Sequence, residues 1–372
     1  MRKTAVVIGA GISGLTVAFE LQQRAERVSE GLRIICMDSS HRGGGNIGSS
    51  LEQGFLFEWG PTGFLDNAPA TLTLARRLNL GERLLPAGPS AENRYIFRAG
   101  KLHRVPLSPA SFIGSGILPP GGKLRLLLEP FIRRGKALAD ESVFDFAARR
   151  IGRQAASIMV DAMVSGIHAG DARQLSLRAT FPKMERMERE HGTLFRAMLA
   201  RRKQARAEGE QAGVPAGPGG RLTSFRNGLQ ELIDALAGSL GEGLLLGKAV
   251  ESISDLGRRG LRIHPVEGAP FDADAVVVAC PAWEACKILR SMDGDLSATL
   301  QEITSAPLAV AHLGFRSDAI GHPCDGFGFL VPRGQGARIL GALWISTIFE
   351  GRAPKGSSLM TVMAGGAHDP DV

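Results

Sequence analysis

The chain has few cysteines and few aromatic residues. Its 372 residues include one Tyr, 6% aromatic residues in total and four cysteines, namely Cys36, Cys280, Cys286 and Cys324. The cysteines form no CxxC pair and accompany no His cluster at zinc-finger spacing, so neither a disulfide framework nor a structural zinc site is expected, and a reducing compartment is favoured. No RNA- or DNA-reading motif is present beside the scarce aromatics, so we expect no nucleic-acid partner.

Long apolar runs are also lacking. The longest stretch without charge, Val105–Gly122, holds four Pro, four Gly and three Ser, a composition that no spanning helix tolerates. A hydrophobic share of 44% with 22% charged residues is typical of a globular chain, and the length allows two or three domains with cores of their own.

Positive charge is concentrated in one part of the chain. Between Arg94 and Arg206 there are 22 Lys and Arg against nine Asp and Glu, a net +13, while the whole chain carries only +7. A basic helical region with apolar faces is typical of a solvated face or of a surface that binds anionic membranes. We expect peripheral association with an anionic membrane.

The N-terminal segment carries a dinucleotide-binding pattern. A β-branched run (Thr4–Ile8) is followed by the GxGxxG turn Gly9, Ala10, Gly11, Ile12, Ser13 and Gly14, by a helical segment (Leu15–Arg27) and by a second strand that ends at Asp38. The first glycine permits the tight turn, the second lets a pyrophosphate approach, and the third lets helix and strand pack closely. Asp38 is expected to accept hydrogen bonds from a ribose.

The rest of the chain divides into a helical region and a resumed sheet. Helices are predicted over Lys123–Leu138, Val143–Ile151, Ala155–Val164 and Thr193–Arg206, and a Gly/Pro linker follows over 208–220. We predict an α/β fold with a discontinuous Rossmann-like dinucleotide-binding domain (1–65 and 221–300), a mixed-sheet substrate domain (66–110 and 301–372) and a helical, basic, membrane-associating domain (111–220).

Further motifs resemble those of a known family. After Asp38 come Ser39 and the segment Arg42-Gly43-Gly44-Gly45, as in the FAD-containing amine-oxidase superfamily. Other segments narrow the resemblance to its protoporphyrinogen oxidase family. These are Phe57–Leu65, Asn93–Phe97, Ser165–Asp171, Gly326–Pro332 and Ile348–Phe349 with Arg352–Pro354. They follow one another in the expected order over nearly the whole chain.

The resemblance implies FAD as cofactor and names further residues that hold it. Ser39, Arg42, Gly44 and Gly45 are implied to serve a second phosphate region, and Val250 to bind the adenine through its backbone. The segment Gly60, Pro61, Thr62 and Gly63 is implied to lie beside the flavin.

The resemblance also implies a tetrapyrrole substrate. Arg94 is implied to pair with a propionate, Leu330 and Phe349 to sandwich the macrocycle, and Gly166 and Gly170 to let the backbone lie close to flavin and substrate. The sequence offers no acid/base dyad and no metal site, so no residue is assigned a catalytic role. Redox chemistry carried by a flavin is compatible with this, because the protein then mainly binds, orients and desolvates.

The implied reaction is the stepwise six-electron oxidation of protoporphyrinogen IX to protoporphyrin IX, with dioxygen as electron acceptor. Oxidation of coproporphyrinogen III is the alternative with the same chemistry. A chain that binds FAD or a tetrapyrrole without turnover is the alternative of a different class. We expect a cytoplasmic protein that lies peripherally on the cytoplasmic membrane, and the sequence leaves a homodimer open.

Members of this family extend beyond the position that aligns with Val372. This implies that a closing segment covers the flavin, and that the present chain binds FAD weakly and turns over poorly. It also predicts that the strand Leu359–Met363 is left with an exposed apolar edge.

Overall fold

The computed structural model describes residues 3–28, 31–106, 109–135, 140–207 and 220–372. Its strands are β1 (Lys3–Ile8), β2 (Leu32–Met37), β3 (Ser49–Glu52), β4 (Phe55–Glu58), β5 (Phe64–Leu65), β6 (Leu84–Pro86), β7 (Arg94–Arg98), β8 (Lys101–Arg104), β9 (Leu222–Phe225), β10 (Leu244–Leu245), β11 (Val250–Asp255), β12 (Leu261–Pro265), β13 (Phe271–Ala273), β14 (Ala275–Val278), β15 (Leu308–Arg316), β16 (Gly328–Leu330), β17 (Ile339–Trp344) and β18 (Ser357–Gly365).

The helices are α1 (Ile12–Arg27), α2 (Pro69–Arg77), α3 (Pro109–Gly114), α4 (Pro120–Leu127), α5 (Val143–Ile151), α6 (Arg153–Ala155), α7 (Asp161–His168), α8 (Leu177–Thr180), α9 (Pro182–His191), α10 (Leu194–Ala207), α11 (Gln230–Leu240), α12 (Ala282–Leu289), α13 (Gly294–Gln301) and α14 (Ile345–Ile348). A π-helical turn, Ala156–Val160, joins α6 to α7. The predicted α/β class is confirmed. Among the described residues, no helix combines the length and the apolar composition that crossing a bilayer requires.

The chain forms two compact units, Met1–Pro86 with Arg221–Ser305, and Ala87–Gly220 with Ala306–Val372. The division into three domains stays a prediction. The Gly/Pro linker predicted over 208–220 lies, apart from Gly220, outside the described residues.

The first unit is built on a four-stranded parallel sheet in the order β10, β2, β1, β14. Alternate residues of β1 point to opposite faces of this sheet. Val7 packs with α1 and α11, whereas Val6 and Ile8 pack with residues of the small sheet formed by β11, β12 and β13. Val6 and Val7 are fully buried, and burial of such side chains contributes about 1.5–3 kcal/mol each. Both faces are covered, which explains the continuous apolar run in β1.

The second unit contains a six-stranded mixed sheet in the order β15, β18, β17, β16, β7, β8. Only the pair β16 and β7 is parallel among its neighbours. The expectation that Leu359–Met363 has an exposed apolar edge is wrong, because β18 pairs on both sides, with β15 and with β17. The strand β15 has one neighbour instead, and Leu308 and Leu313 in it are exposed.

One predicted helix is much shorter in the structure. The pattern predicts Lys123–Leu138, but α4 ends at Leu127 and a single 3₁₀ turn, Glu129–Phe131, follows. Pro130 lacks a backbone N–H and disfavours helical backbone at the residue before it, so the helix stops there. Positions 136–138 of the prediction lie outside the described residues.

Candidate functional site

The glycine turn after β1 has the three properties predicted for it. Gly9 has φ of +106°, and a Cβ there would lie 2.9 Å from the backbone of Ala279. A Cβ on Gly14 would lie 1.8 Å from the carbonyl oxygen of Gly9, so α1 can approach the turn only with glycine at this position. A Cβ on Gly11, by contrast, meets no atom within 4 Å. Open space therefore lies where a pyrophosphate is expected.

The N-terminus of α1 is free to bind an anion. Gly11 precedes the first residue of the helix, and no side chain caps the helix here. The first backbone N–H groups of a helix have no partner within the helix, and they carry a partial positive charge that suits phosphate. Gly11, Ile12 and Ser13 therefore lie where the sequence predicts the phosphate contacts.

Asp38 lies beside this turn, at the end of β2. Its Oδ2 accepts a hydrogen bond from the Ala10 N–H at 2.6 Å, and its Oδ1 accepts one from the Ser40 N–H at 2.8 Å. Each carboxylate oxygen has a further lone pair, so Asp38 can still accept hydrogen bonds from a ribose. Ser39, between these residues, is exposed.

The predicted Val250 segment runs along the same loop. The Lys248 N–H donates to the Asp38 carbonyl oxygen at 2.8 Å, and the Gly247 N–H donates to the Ser40 carbonyl oxygen at 2.9 Å. Val250 begins β11 directly after this contact and is half-buried. Asp38 and Val250 are 212 positions apart in the sequence, and the fold brings their segments together.

A thiol lies under the turn. The Cys36 Sγ is 3.9 Å from the Gly9 carbonyl oxygen, and burial, with the nearby Asp38 carboxylate, raises the pKa of the thiol to about 12. Cys36 is thus neutral at physiological pH and packs as a small apolar side chain.

Arg42 is used differently from the expectation. Its guanidinium donates hydrogen bonds to the carbonyl oxygens of Gly43, Gly45 and Ile47 and lies 4.4 Å from the ring centre of Trp59. The side chain therefore holds its own loop, and this role was missed by sequence reasoning. Direct contact of Arg42 with a phosphate stays a prediction.

The loop that Arg42 holds lies against the glycine turn. The Gly44 N–H donates to the Ala10 carbonyl oxygen at 2.8 Å, and a Cβ on Gly45 would lie 3.4 Å from the Gly11 Cα. The turn Gly9–Gly14 and the loop with Gly44 and Gly45 thus lie side by side, and we call the space between them the cradle.

The Gly60–Gly63 segment touches the same loop. A Cβ on Gly60 would lie 2.5 Å from the Asn46 carbonyl oxygen, and one on Gly63 would lie 2.7 Å from the Thr223 carbonyl oxygen. Pro61 and Thr62 between them keep contact with solvent. These glycines are required for close packing of the loops, and a contact with flavin stays a prediction.

Glu58 anchors these loops and was not predicted from the sequence. It is 2% exposed, and its carboxylate accepts hydrogen bonds from the Ser49 hydroxyl at 2.5 Å and from the Leu229 N–H at 3.1 Å. The latter contact places a negative charge one residue before α11, where the helix dipole favours it. The sequence signal that could have identified Glu58 is its position directly before Trp59 and Gly60, in a segment already singled out.

In the second unit, Arg94 begins β7 and has an unusual environment. Among the described residues, its guanidinium has no ion-pair partner, and it lies 5.2 Å from the ring centre of Phe327. The residue as a whole is exposed. Desolvation by the surrounding protein nevertheless lowers the pKa of its guanidinium. An arginine that is partly desolvated and unpaired is suited to bind a carboxylate.

Leu330 and Gly166 meet close to Arg94. The strand β16 runs parallel to β7, with Gly328 opposite Arg94 and Leu330 opposite Ile96. A Cβ on Gly166, in α7, would lie 2.4 Å from Leu330 Cδ2. The structure therefore brings three predicted substrate residues, Arg94, Leu330 and Gly166, into one neighbourhood.

Gly170 and Phe349 lie in the interior. A Cβ on Gly170 would meet Leu175 at 2.8 Å, and Phe349 is 1% exposed with the Arg352 guanidinium 5.4 Å from its ring centre. Packing alone accounts for the glycine and for the aromatic ring. Contact of either residue with substrate stays a prediction.

An ion-pair network holds the Ser165–Asp171 motif, and sequence reasoning missed it. Arg333 donates to Asp161 at 2.7 Å and to Asp171 at 2.9 Å, while His368 Nδ1 lies 4.0 Å from Asp171. Burial alone raises the pKa of Asp171, but the Arg173 N–H and the Arg333 guanidinium outweigh it, and the pKa lies below its usual range. The two carboxylates thus share one guanidinium as their counter-ion.

Comparisons with known proteins show what this chain is similar to. A family model described as "Flavin containing amine oxidoreductase" matches residues 12–372. Human "Protoporphyrinogen oxidase" is 32% identical over 387 residues, covering 99% of this chain and 78% of that protein. "Protoporphyrinogen oxidase 1, chloroplastic" from Arabidopsis thaliana is 30% identical over 381 residues, covering 99% and 70%. "Coproporphyrinogen III oxidase" from Bacillus subtilis is 27% identical over 380 residues, covering 100% and 79%.

Solved structures show the same fold. A crystal structure of a protein from Exiguobacterium sp. 255-15 matches with a TM-score of 0.80 at 23% identity, covering 99% of this chain and 78% of that one. Reduced UDP-galactopyranose mutase matches with a TM-score of 0.69 at 15% identity, covering 100% and 75%.

Proposed function

The chain belongs to the flavin containing amine oxidoreductase family, and we propose on this basis that it is an FAD-dependent oxidase of a porphyrinogen. The substrate is protoporphyrinogen IX, the product is protoporphyrin IX, and the electron acceptor is dioxygen. The reaction belongs to haem biosynthesis.

The cradle of the first unit fits FAD. The space beside Gly11, the free N-terminus of α1 and the Asp38 carboxylate suit a pyrophosphate and a ribose in that order along the loop. When bound, FAD supplies the acceptor for two electrons in each oxidation step. The residues of the chain bind it, orient it and exclude water. No side chain is assigned a proton transfer.

The observation that carries the substrate assignment is the neighbourhood of Arg94, Leu330 and Gly166. The unpaired guanidinium offers a bidentate site for a propionate, whereas Leu330 and the bare backbone of Gly166 offer an apolar wall to a macrocycle. Relatives that are named for porphyrinogen oxidation cover 99% of the chain, which supports this interpretation.

Coproporphyrinogen III is the second candidate substrate. The Bacillus relative named for it aligns with 100% of the chain. Both substrates have the same macrocycle, but coproporphyrinogen carries four propionates instead of two, so further cations are needed to bind it equally well.

A direct assay separates these possibilities. The chain is saturated with FAD and supplied with each porphyrinogen in turn, and porphyrin fluorescence and peroxide are followed with and without dioxygen. The larger kcat/KM identifies the substrate. Absence of porphyrin formation from both substrates, with FAD bound, contradicts the proposal and favours a binding protein.

We further propose that the chain lies peripherally on the cytoplasmic face of an anionic membrane. Exposed apolar side chains lie at the end of α4 and after it. Leu124, Leu127, Leu128 and Phe131 are between 43% and 79% exposed. The α10 helix adds Phe195 and Leu199, which are 47% and 50% exposed.

These two groups of side chains lie side by side. The Glu129 carboxylate accepts hydrogen bonds from the Leu194 N–H at 2.8 Å and the Phe195 N–H at 3.1 Å, and so fixes the start of α10 next to the turn of Phe131. Exposed basic residues, Arg133, Arg134, Arg196 and Arg201, flank them. Each Lys or Arg near an anionic surface contributes about 1 kcal/mol, and the apolar residues can enter the interface.

The sequence leaves a homodimer open, and sedimentation of the purified chain would distinguish a dimer from a monomer.

A further inference from the structure

A charged cleft lies within the helical part of the second unit, and none of the residues named above for substrate or membrane binding lines it. It has a volume of about 480 Å³ and is lined by Phe144, Asp145, Ala148, Arg149, Arg153, Ser157 and Arg173. Three of the seven lining residues are arginines. A cleft of this size is within the range of small-molecule sites, which is about 300–1,000 Å³.

Arg149 is already neutralised by the protein. It donates to both oxygens of Glu141, at 3.0 and 2.8 Å, and to both oxygens of Glu188, at 2.7 and 3.2 Å. These two carboxylates raise the pKa of its guanidinium. Arg149 therefore forms a fixed wall of the cleft and contributes little uncompensated charge.

Arg153 and Arg173 differ from Arg149 in this respect. Both are exposed, and among the described residues neither guanidinium has an ion-pair partner. The Arg173 Cζ lies over the Phe144 ring, 3.9 Å from its centre, and this contact does not use the N–H groups of the guanidinium. Two guanidiniums with free donors thus face one cleft.

The carboxylate in the cleft has its own partners. Asp145 accepts a hydrogen bond from the Ser142 hydroxyl at 2.8 Å and lies in the first turn of α5, where the helix dipole stabilises negative charge. Outside the Arg149 ion pairs, the lining therefore holds two guanidiniums and one carboxylate.

An independent feature of the backbone marks the same place. Ser157 belongs to the π-helical turn Ala156–Val160, and single π turns within helices occur frequently at functional sites. The Ser157 hydroxyl is exposed and has no protein partner among the described residues. It adds a donor to the two guanidiniums.

We propose that this cleft binds a phosphate monoester group through Arg153, Arg173 and Ser157. A phosphate monoester carries a charge of about −1.5 to −2 at neutral pH and three acceptor oxygens, which match two guanidiniums and a hydroxyl better than a single carboxylate does. The group comes from a soluble phosphate compound or from a lipid headgroup.

The lipid source is structurally reasonable because α4 is joined to the helices that line the cleft. Arg125 of α4 donates to the carbonyl oxygens of Arg149 and Arg150 at 2.7 and 3.2 Å. The exposed apolar residues of α4 and the cleft thus belong to one helical assembly.

The test uses the chain saturated with FAD, so that the glycine cradle does not bind the probe. Inorganic phosphate is titrated calorimetrically into wild type, Arg153→Ala/Arg173→Ala and the control Arg186→Ala/Arg189→Ala. The control removes the same charge from two exposed arginines of α9 that do not line the cleft. We expect phosphate binding to weaken at least about tenfold in the first variant and to be unchanged in the control.

Two further variants report on the chemistry of binding. Arg153→Lys/Arg173→Lys keeps the charge but loses the fork geometry, so intermediate affinity is expected. Ser157→Ala is expected to weaken binding by a smaller factor. Circular dichroism confirms that each variant is folded.

Vesicles identify the source of the phosphate. Phosphatidylcholine vesicles are doped with phosphatidic acid, a monoester, or with phosphatidylglycerol, a diester. A preference for phosphatidic acid that disappears in Arg153→Ala/Arg173→Ala supports the lipid source, and phosphate binding in solution without this preference supports a soluble ligand. No saturable phosphate binding by wild type, or equal weakening in the control, overturns the proposal.

Discussion

Two glycines of one turn differ in what a side chain would meet. Gly11 has φ of −67°, which any residue adopts, and open space at its Cβ position. The substitution Gly11→Val should therefore leave the fold intact and block only the pyrophosphate. We expect the purified variant to lose its bound FAD, measured by flavin absorbance, while the unfolding midpoint of the FAD-free protein stays near that of wild type.

Gly14→Val is the control for this prediction. Its Cβ would lie 1.8 Å from the Gly9 carbonyl oxygen, so it should lower stability and FAD content together. Wild-type flavin content in Gly11→Val would show that the phosphates bind elsewhere.

We propose that Arg94, which has no ion-pair partner among the described residues, binds a propionate of the substrate. A propionate is remote from the carbons that are oxidised, so its contact with Arg94 is the same in the ground and transition states. Arg94→Ala should raise KM for porphyrinogen about tenfold or more and change kcat little, and Arg94→Lys should recover part of the loss. Steady-state kinetics measure both constants. An unchanged KM removes Arg94 from the substrate site.

At the scale of elements, the end of α4 and the start of α10 present one apolar surface with basic flanks. Leu127→Ser/Phe131→Ser should reduce recovery with anionic vesicles in a flotation assay by about tenfold, because two inserted side chains are lost. Leu51→Ser/Val266→Ser is the matched control, since both residues are exposed, at 70% and 63%, in the first unit.

Salt dependence belongs to the same prediction. High salt should lower recovery of wild type, because it screens the basic residues. Equal recovery with neutral and anionic vesicles would contradict the electrostatic part of the proposal.

The helix α5 is fixed by a buried charge. Arg150 is 0% exposed, and its guanidinium lies 2.7 Å from Glu129, which is also buried, and 3.5 Å from Glu188. Arg150→Ala leaves the buried Glu129 carboxylate without its counter-ion, whereas Glu188 keeps Arg149, so the substitution should lower the free energy of unfolding by about 3–5 kcal/mol. Denaturant titration followed by circular dichroism measures this. The exposed Arg189→Ala should change it by less than about 0.5 kcal/mol.

For the molecule as a whole, pH should act through the pair of Asp171 and Arg333. The folded-state pKa of Asp171 is depressed, so the pair contributes stability above the unfolded-state pKa of about 3.9 and loses it as pH falls through the folded value. Wild type should therefore lose more stability than Asp171→Asn between about pH 5 and about pH 3. Thermal unfolding followed over this range measures the difference, and parallel curves for the two proteins would exclude the pair as a source of acid sensitivity.

Patterns of neighbouring residues were sufficient to predict the local parts of the molecule. The strand, the glycine turn and α1 follow one another within 27 residues, and turn geometry and helix periodicity are properties of such short segments. The α/β class and a dinucleotide site could therefore be predicted, whereas FAD was implied by the family resemblance. The end of α4 at Leu127 was also within reach, because Pro130 lies in the sequence, but the apolar pattern was extended past it.

Contacts between residues that are distant in the chain are known only from the three-dimensional structure. In the structure, β18 lies inside its sheet, Arg42 holds a loop, and Phe349 is buried. Arg333 pairs with Asp161 and Asp171, and Arg153 and Arg173 line one cleft. A periodic pattern specifies which face of an element is apolar, but not which element covers that face or which charge is nearby. Those choices depend on the packing of segments that are far apart in the chain, where loop closure and burial are balanced over the whole fold.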